Sequence, residues 1–438
     1  MIKPQAISWF GENLPEAQLI EEKFKEIIRK NYSLSGFTPI DTPVVERLDV
    51  LLAKWADDNE VYAIHRVNGE IWDDSSLWLR FDLTVPLARY VAQYEWELTF
   101  PFRRQHISRV YRWERPQKGR YREFYQADVD IIWNGDLPLF ADIEVITTVY
   151  NSLKELDFWD FVINVNNKKF LSGFLESIWI EKIKETISII DKKDKVRHDK
   201  LKEMFISILL KEEKIEKIVE FIKFWEQKTS REILTYYSQF DGELLKTWIE
   251  ELNFLYNWLL SIWVYEKNIK INPSISRGLN YYTWTVFETF IVWAENMWSV
   301  SSWGRYENLA SNFTKNNYPW VWWSIGLSRL IAVLNNIWKI ETFRKTTSRV
   351  MIVNMWNDTL NNNLSILKKL RQSWIACEMY LDNESKMQKQ LKYANNKKIQ
   401  YAIICWTEEL NSGILQLKNL DNWEQLEIKQ SELINYIK

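Results

Sequence analysis

Arginines set beside small acidic and hydroxyl groups at alternating positions are the residues of this chain best suited to chemistry. The stretch RVYRWERPQKGRYREFYQADVDIIW, residues 109–133, holds two alternating runs around a polar turn, RPQKGR, and reads as an antiparallel hairpin. Alternation puts Arg112 and Glu114 on one face of the first strand, and Phe124, Gln126, Asp128 and Asp130 on one face of the second. A face this polar suits either a solvated outer surface or a binding floor, not a packed core. A second alternating stretch, LRFDLTVPLARYVA, adds Asp82 and Thr84 on a common face. Such groups beside a guanidinium could form an ammonium site next to a phosphate site. In SIGLSRL, Leu327, Leu330, Ile331 and Leu334 form the buried stripe of a helix entered through glycine, which leaves Arg329 off that stripe, where a phosphate can dock.

The elements that must carry these groups fall into blocks. Residues 1–169 mix helical and alternating patterns, beginning with a helix from about Glu16 to Lys30. Residues 170–265 are helical and rich in lysine, with no cluster suited to chemistry, and read as an insertion. Strand and loop patterns resume over 266–345, so the insertion interrupts one domain. Over 346–438, RVMIVNM, ACEMYL and YAIIC read as buried strands, with LNNNLSILKKLRQ and SKMQKQLKYANNKK as the helices between them, a separate α/β domain with a parallel or mixed sheet.

Composition narrows the classes. With 57 basic and 59 acidic side chains in 438 residues, net charge is near zero, which argues against non-specific coating of nucleic acid. The N-terminal stretch lacks an apolar secretion signal, and no later run is long and apolar enough to span a bilayer, so a cytoplasmic protein is expected. Cys377 and Cys405 lie in apolar surroundings without partners at metal spacing and are expected to be buried free thiols. Tryptophan is abnormal: it occurs 25 times, whereas glycine occurs 11 times, where about 7%, roughly thirty, is ordinary. The imbalance is what exchange of one letter for the other would produce.

At the motif level a resemblance becomes specific. YRWERPQKGRYREFYQADVD resembles motif 2 of the class II aminoacyl-tRNA synthetases in the form used by histidyl-tRNA synthetases. SRGLNYYTWTVFE is similar to the histidine-specific segment of that family, SSWGRYENL to its glycine-rich loop, SIGLSRL to motif 3, and GFTPIDTPVVE, with Pro43, to the motif 1 dimer segment. These elements stand in the family's order, and the resemblance covers essentially the whole chain. It implies an α+β fold: an antiparallel-sheet catalytic domain with a helical insertion, followed by a C-terminal α/β anticodon-binding domain. It also implies ATP-dependent attachment of histidine to its tRNA through a histidyl-adenylate, with Mg2+ accompanying ATP and a homodimer as the assembly.

The same resemblance implies residue roles. Arg112 and Arg277 are the catalytic arginines, facing the α-phosphate from opposite sides. Glu114, Arg120, Phe124 and Arg329 complete the ATP site: Phe124 stacks on adenine, Glu114 orients it, and Arg120 and Arg329 take the outer phosphates. Asp82, Thr84 and Gln126 read the ammonium and nearby atoms of histidine. Asp130, Tyr281, Tyr282 and Tyr306 also belong to the histidine site, as do Arg112 and Arg277, with Asp130, Tyr282 and Tyr306 reaching the imidazole. No residue is assigned to a metal. Gln117, Lys118 and Arg120 are placed to meet the tRNA acceptor end, and Lys368, Lys369 and Arg371 form a basic run in the last domain. Asp130 stands where many relatives have Glu, and Asn280 where RGLDYY is usual. Two other readings exist: a catalytically silent paralogue regulating an ATP phosphoribosyltransferase, and a non-enzymatic tRNA-binding protein. Retention of Arg112, Arg277, Arg329 and the last domain speaks against the first, and the intact ATP motifs speak against the second.

Where relatives carry glycine, this chain has Trp9, Trp55, Trp284, Trp303, Trp322, Trp323 and Trp374. A side chain forced into the left-handed region costs about 1–2 kcal/mol, and overpacking adds about 1–3 more. Over some fifteen sites this exceeds the roughly 5–15 kcal/mol that holds a domain together. The expectation is that the source organism reads UGA as glycine and that translation rendered it as tryptophan. Trp113, where similar synthetases use an aromatic, is expected to be genuine.

Overall fold

The computed structural model describes residues 1–52, 60–65, 77–115, 117, 119–157, 160–190, 196–239, 243–273, 275, 285–292, 294, 299–306, 309–336, 344–355, 358–409 and 412–437. It divides into two compact units, Met1–Gly11 with Phe24–Ile340, and Glu12–Lys23 with Glu341–Lys438. Along the chain come α1 (Pro15–Leu34), β1 (Thr38–Pro39), β2 (Val45–Arg47), α2 (Leu48–Leu51), β3 (Ala63–Ile64), β4 (Leu77–Leu79), α3 (Thr84–Gln93), β5 (Phe102–Tyr111), β6 (Glu123–Ile132), α4 (Phe140–Glu155) and β7 (Phe161–Asn167). Helices α5 (Lys168–Ser177), α6 (Ile183–Ile190), α7 (His198–Ser207), α8 (Glu212–Gln227), α9 (Ser230–Tyr237) and α10 (Glu243–Ser261) follow. The first unit closes with β8 (Ile269–Ile271), β9 (Thr285–Ile291), β10 (Ser301–Tyr306), β11 (Trp320–Gly326) and α11 (Leu327–Asn336).

Its main sheet has the order β1-β5-β6-β11-β10-β9-β7-β8. Antiparallel pairing runs through the centre from β5 to β7, and the edge strands β1 and β8 pair parallel. Alternation in β6 explains the layering. Ala127, Val129 and Ile131 are buried on one face, where α4 contributes Ile143, Ile146, Val149 and Leu153. Tyr32 of α1 donates a 3.1 Å bond to the carbonyl of Ala127, and Arg305 of β10 donates to Asp142 of α4 at 2.7 Å. The opposite face of β6, with Gln126, Asp128 and Asp130, is left for polar chemistry. Helices α5 to α10 lie between β7 and β8, and α10 packs on α5, α4 and β7. Among them α9 begins with a capping box, in which Thr229 Oγ1 and Glu232 exchange bonds with each other's backbone amides.

Two sequence expectations fail here. β5 ends at Tyr111, so Arg112 and Glu114 lie past the strand rather than on one of its faces. LRFDLTVPLARYVA does not continue as a strand: β4 ends at Leu79 and α3 begins at Thr84. Asp82 Oδ1 accepts the amides of Thr84 (3.1 Å) and Val85 (2.9 Å), satisfying the donors that a helix start leaves open. Pro86 sits in the first turn, where its missing N–H costs nothing. Thr84 to Ala88 are all buried, which masked the helical period.

The second unit contains β12 (Val350–Ile352), α12 (Leu360–Gln372), β13 (Cys377–Met379), α13 (Met387–Asn396), β14 (Tyr401–Ile404), β15 (Ile414–Asn419), β16 (Gln425–Lys429) and α14 (Leu433–Ile437). The order is β13-β12-β14-β15-β16, parallel across β13, β12 and β14 and antiparallel beyond. Both faces of β12 are buried, Val350 and Ile352 against Ile366, Leu370 and Leu433, and Met351 against Leu391 and Ala394. That is why the strand reads as an unbroken apolar run. Cys377 and Cys405 are buried free thiols, and burial pushes the Cys405 thiol up to about 12. Among the described residues no helix is long and apolar enough to cross a membrane.

The tryptophans are unusual in their backbone. Among the described residues eight non-glycines have positive φ, and five of them are Trp9 (69°), Trp179 (61°), Trp263 (72°), Trp374 (61°) and Trp423 (64°). Composition alone would place fewer than one there. Trp179, Trp263 and Trp374 follow α5, α10 and α12 at the position where a Schellman turn favours glycine. In the last case Trp374 N donates to Arg371 O at 3.1 Å and Ile375 N to Leu370 O at 3.0 Å. These three side chains are 82%, 83% and 97% exposed, so burial does not offset the strain. Across the five sites that strain amounts to about 5–10 kcal/mol.

Candidate active site

The polar face of the sheet is arranged in rows set by register. Arg104, Asp130, Trp322 and Gly304 lie side by side on β5, β6, β11 and β10; His106, Asp128, Ser324 and Ser302 form the next row; Ser108, Gln126 and Gly326 the one after. Above the floor opens a cleft of about 360 Å³. Its wall is built from the start of α3, the turn between β5 and β6, the segment before β10, and the first turn of α11.

Three arginines reach the cleft from three different elements. Arg112, just past β5, donates from Nε to the carbonyl of Phe81 (3.1 Å), and its guanidinium lies 4.3 Å from the Phe81 ring centre and 5.2 Å from that of Phe124. Arg120, in the hairpin turn, donates to Glu114 Oε2 at 3.2 Å, while Glu114 Oε1 lies 3.7 Å from Arg112. Arg329, in the first turn of α11, donates to the carbonyls of Gly119 (3.2 Å) and Ser299 (3.1 Å). Gly119 has φ +81°, a conformation that glycine permits and that brings its carbonyl to Arg329. Ser328 Oγ accepts the Tyr125 amide at 3.0 Å, tying the helix start to β6. A carbonyl and aromatic faces thus hold Arg112, carbonyls hold Arg329, and the Glu114 carboxylate holds Arg120.

Asp82, Thr84 and Gln126 line the same cleft, with Gln126 Nε2 donating to Ser324 Oγ at 2.9 Å. Burial raises the Asp82 carboxyl, opposed by the α3 amides and Arg112. Deeper, Arg104 is wholly buried; it donates to Asp130 Oδ2 at 2.6 Å and to the carbonyl of Leu83 at 2.7 Å, with Asp128 3.9 Å away. Burial, with Arg104 and Arg80 nearby, pushes His106 down to about 3, so it stays neutral. Burial pushes Asp128 up to about 7 against the pull of Arg104. The folded protein then holds a proton that the unfolded chain releases near its ordinary value of 3.8. Stability from this group is therefore full below about pH 4 and is lost as pH rises through about 7. Asp128→Asn is expected to flatten this dependence, removing about 2–3 kcal/mol of the difference in unfolding free energy between about pH 5 and 8. Urea titrations at both pH values check it; equal slopes in parent and variant would contradict it.

Of the residues singled out from sequence, Asp82, Thr84, Arg112, Glu114, Arg120, Phe124, Gln126, Tyr306 and Arg329 line this one cleft. Asp130 does not line it; its carboxylate is tied to Arg104, and its neighbour on β11 is Trp322. Arg277, Tyr281 and Tyr282 lie outside the described residues, as do Lys118, Trp55 and Trp284. Lys369 and Arg371 bond to the carbonyls of Gln430 and Cys377 within their own unit. Arg104 and Phe81, which position the floor and Arg112, were missed. The RFD run placed Phe81 beside Asp82, but nothing local marks an arginine whose partners lie on the next strand and at the entrance to α3.

An antiparallel sheet whose hairpin and following helix deliver arginines to one cleft, joined to a C-terminal α/β unit, is the architecture of the class II aminoacyl-tRNA synthetases. The model of the family described as Histidyl-tRNA synthetase matches residues 10–330, and that described as Anticodon binding domain matches 349–438. The histidine--tRNA ligase of Clostridium tetani is 39% identical, covering 100% of this chain and 99% of its own. The crystal structure of histidyl-tRNA synthetase from a Nostoc species superposes with a TM-score of 0.92 at 33% identity, covering 100% of this chain and 99% of that one. A Bacillus halodurans structure described as an ATP phosphoribosyltransferase regulatory subunit/histidyl-tRNA synthetase reaches 0.74 at 21% identity, over 92% of this chain and 99% of that one, a likeness of fold alone. The chain belongs to the histidyl-tRNA synthetase family.

Proposed function

We propose that this chain is a ligase that attaches histidine to its tRNA, using ATP, through a histidyl-adenylate. The observation that carries the reading is the convergence of Arg112, Arg120 and Arg329 on a cleft also lined by Asp82, Thr84 and Gln126. In the first step a histidine carboxylate oxygen attacks the α-phosphorus, and the bond to the bridging oxygen breaks as pyrophosphate leaves with the electron pair. Nucleophile and leaving group are both anions, so the step needs positioning and charge neutralisation more than proton transfer. A neutral, buried His106 is consistent with that.

Arg112 holds the α-phosphate and the substrate carboxylate, and Arg277 faces it from the opposite side. Arg120 and Arg329 take the outer phosphates; their planar forks suit phosphate oxygens. Phe124 stacks on adenine, with Glu114 fixing its orientation. Asp82, Thr84 and Gln126 bind the ammonium, while Asp130, Tyr281, Tyr282 and Tyr306 serve the imidazole end. Magnesium comes with the ATP phosphates: Glu114 already bridges two arginines, and a magnesium ion held through phosphate oxygens needs few protein ligands. Residues 1–169 and 266–345 form the catalytic domain, 170–265 its helical insertion, and 346–438 the anticodon-binding domain. The protein acts as a cytoplasmic homodimer, with the Pro43 segment at the dimer contact.

Aminoacylation of histidine tRNA tests the reading, run on the chain as written and on one with glycine at position 322. Charging with histidine by either chain is the expected result. If neither charges the tRNA while both are folded, the regulatory-paralogue reading replaces it.

A further inference from the structure

Gln126 lines the cleft with its amide held at one end only. Its Nε2 donates to Ser324 Oγ at 2.9 Å, while Oε1 is buried and accepts no hydrogen bond. An acceptor stripped of water and left without a donor is costly, and a cationic donor entering the cleft relieves that cost. Turned end for end, the same amide would offer N–H groups to the cleft and repel a cation. Which end faces the cleft depends on what Ser324 does with its single proton. The row across the sheet decides this. Asp128 stands between His106 of β5 and Ser324 of β11. His106 is neutral and gives its one N–H, from Nε2, to Asp41 at 2.7 Å, so its bare Nδ1 has no proton for Asp128. Arg104 is 3.9 Å away and committed to Asp130 and the Leu83 carbonyl. Both oxygens of Asp128 are buried without a hydrogen bond of ordinary length and angle, yet the Ser324 hydroxyl lies close enough to pull the carboxyl down. Ser324 is thus the row neighbour with a proton to give.

We infer that Asp128 and Ser324 are positioning residues for the amino end of the substrate: the Asp128 carboxylate draws the Ser324 proton, Ser324 Oγ can then only accept, and Gln126 is held with Oε1 toward the ammonium. The inference rests on the ligase reading and adds to it two residues that act through a third. Neither has to touch the ammonium.

Binding of histidine and of imidazolepropionate, which lacks only the amino group, separates orientation of the amide from mere folding. Titration calorimetry on the full chain with glycine at position 322 serves, run at about pH 8 to keep Asp128 ionised: burial pushes this carboxyl up to about 7 against Arg104, with Asp130 and Asp82 adding to the rise. The parent is expected to bind histidine at least about 10-fold more tightly than imidazolepropionate. Ser324→Ala should lose most of that preference, weakening histidine by about 10-fold and leaving imidazolepropionate within about twofold. A preference that survives Ser324→Ala, or equal weakening of both ligands, overturns the inference. Asp128→Asn should also weaken histidine, and adding it to Ser324→Ala should cost little more. Costs that simply add would mean that Asp128 acts on the ammonium by charge alone, which overturns its role through Ser324. A parent that binds histidine no better than imidazolepropionate overturns the ligase reading and this inference with it, whereas a parent that prefers histidine leaves the variants to decide the inference alone.

Discussion

Arg112→Ala is expected to slow histidyl-adenylate formation by about 10²–10³-fold, the cost of removing one preorganised group that stabilises developing charge. The size of the effect follows from how the side chain is held. Its Nε is committed to the Phe81 carbonyl, and the rings of Phe81 and Phe124 bracket the guanidinium. The charge therefore stands in place before ATP binds and need not be ordered during the reaction. Arg112→Lys keeps the charge but loses the fork, and most of the loss should persist. ATP–pyrophosphate exchange on the chain with glycine at 322 gives the rate, and the midpoint of heat unfolding reports whether the fold survives. Exchange within about threefold of the parent, from a folded variant, would remove Arg112 from its assigned place.

The second large effect concerns stability. Arg104→Met is expected to cost about 3–5 kcal/mol, because it strands a buried carboxylate rather than merely deleting a contact. Arg104 and Asp130 are both essentially sealed from water, and Asp128 lies in the adjacent row. The same guanidinium holds the Leu83 carbonyl at the entrance to α3, so its loss should also loosen the Asp82–Thr84 segment. Adding Asp130→Asn removes the stranded charge and should recover part of the loss. Urea unfolding of both variants checks this; a single-variant cost under about 1 kcal/mol would mean that water reaches the row.

Which features could be read from sequence follows from how local their causes are. The second strand of the hairpin around residues 109–133 was legible because alternation is a local signal and one face of β6 meets the core while the other meets the cleft, but the first strand was misplaced: β5 runs from Phe102 to Tyr111, so Arg112 and Glu114 lie past its end. The α11 helix was legible from its stripe and from Gly326, and β12, β13 and β14 from apolar runs buried on both faces. The α3 helix was not, since its first five residues are all buried and a short apolar run has no readable period. Arg104 was invisible for a different reason: its partners lie 21 and 26 residues away, Leu83 at the entrance to α3 and Asp130 brought to it by strand register. The hairpin of β15 and β16 went unread. The tryptophans were legible as an excess in composition, but their left-handed backbones emerged only with the fold.

The most direct test of the account is amino-acid-dependent ATP–pyrophosphate exchange, measured for each standard amino acid in turn on the chain bearing glycine at positions 9, 179, 263, 322, 374 and 423. Histidine alone should support exchange, because one cleft holds both the arginines that grip the phosphates and the polar groups that read the amino acid. Exchange with a different amino acid, or with none despite a cooperatively folded chain, would contradict it.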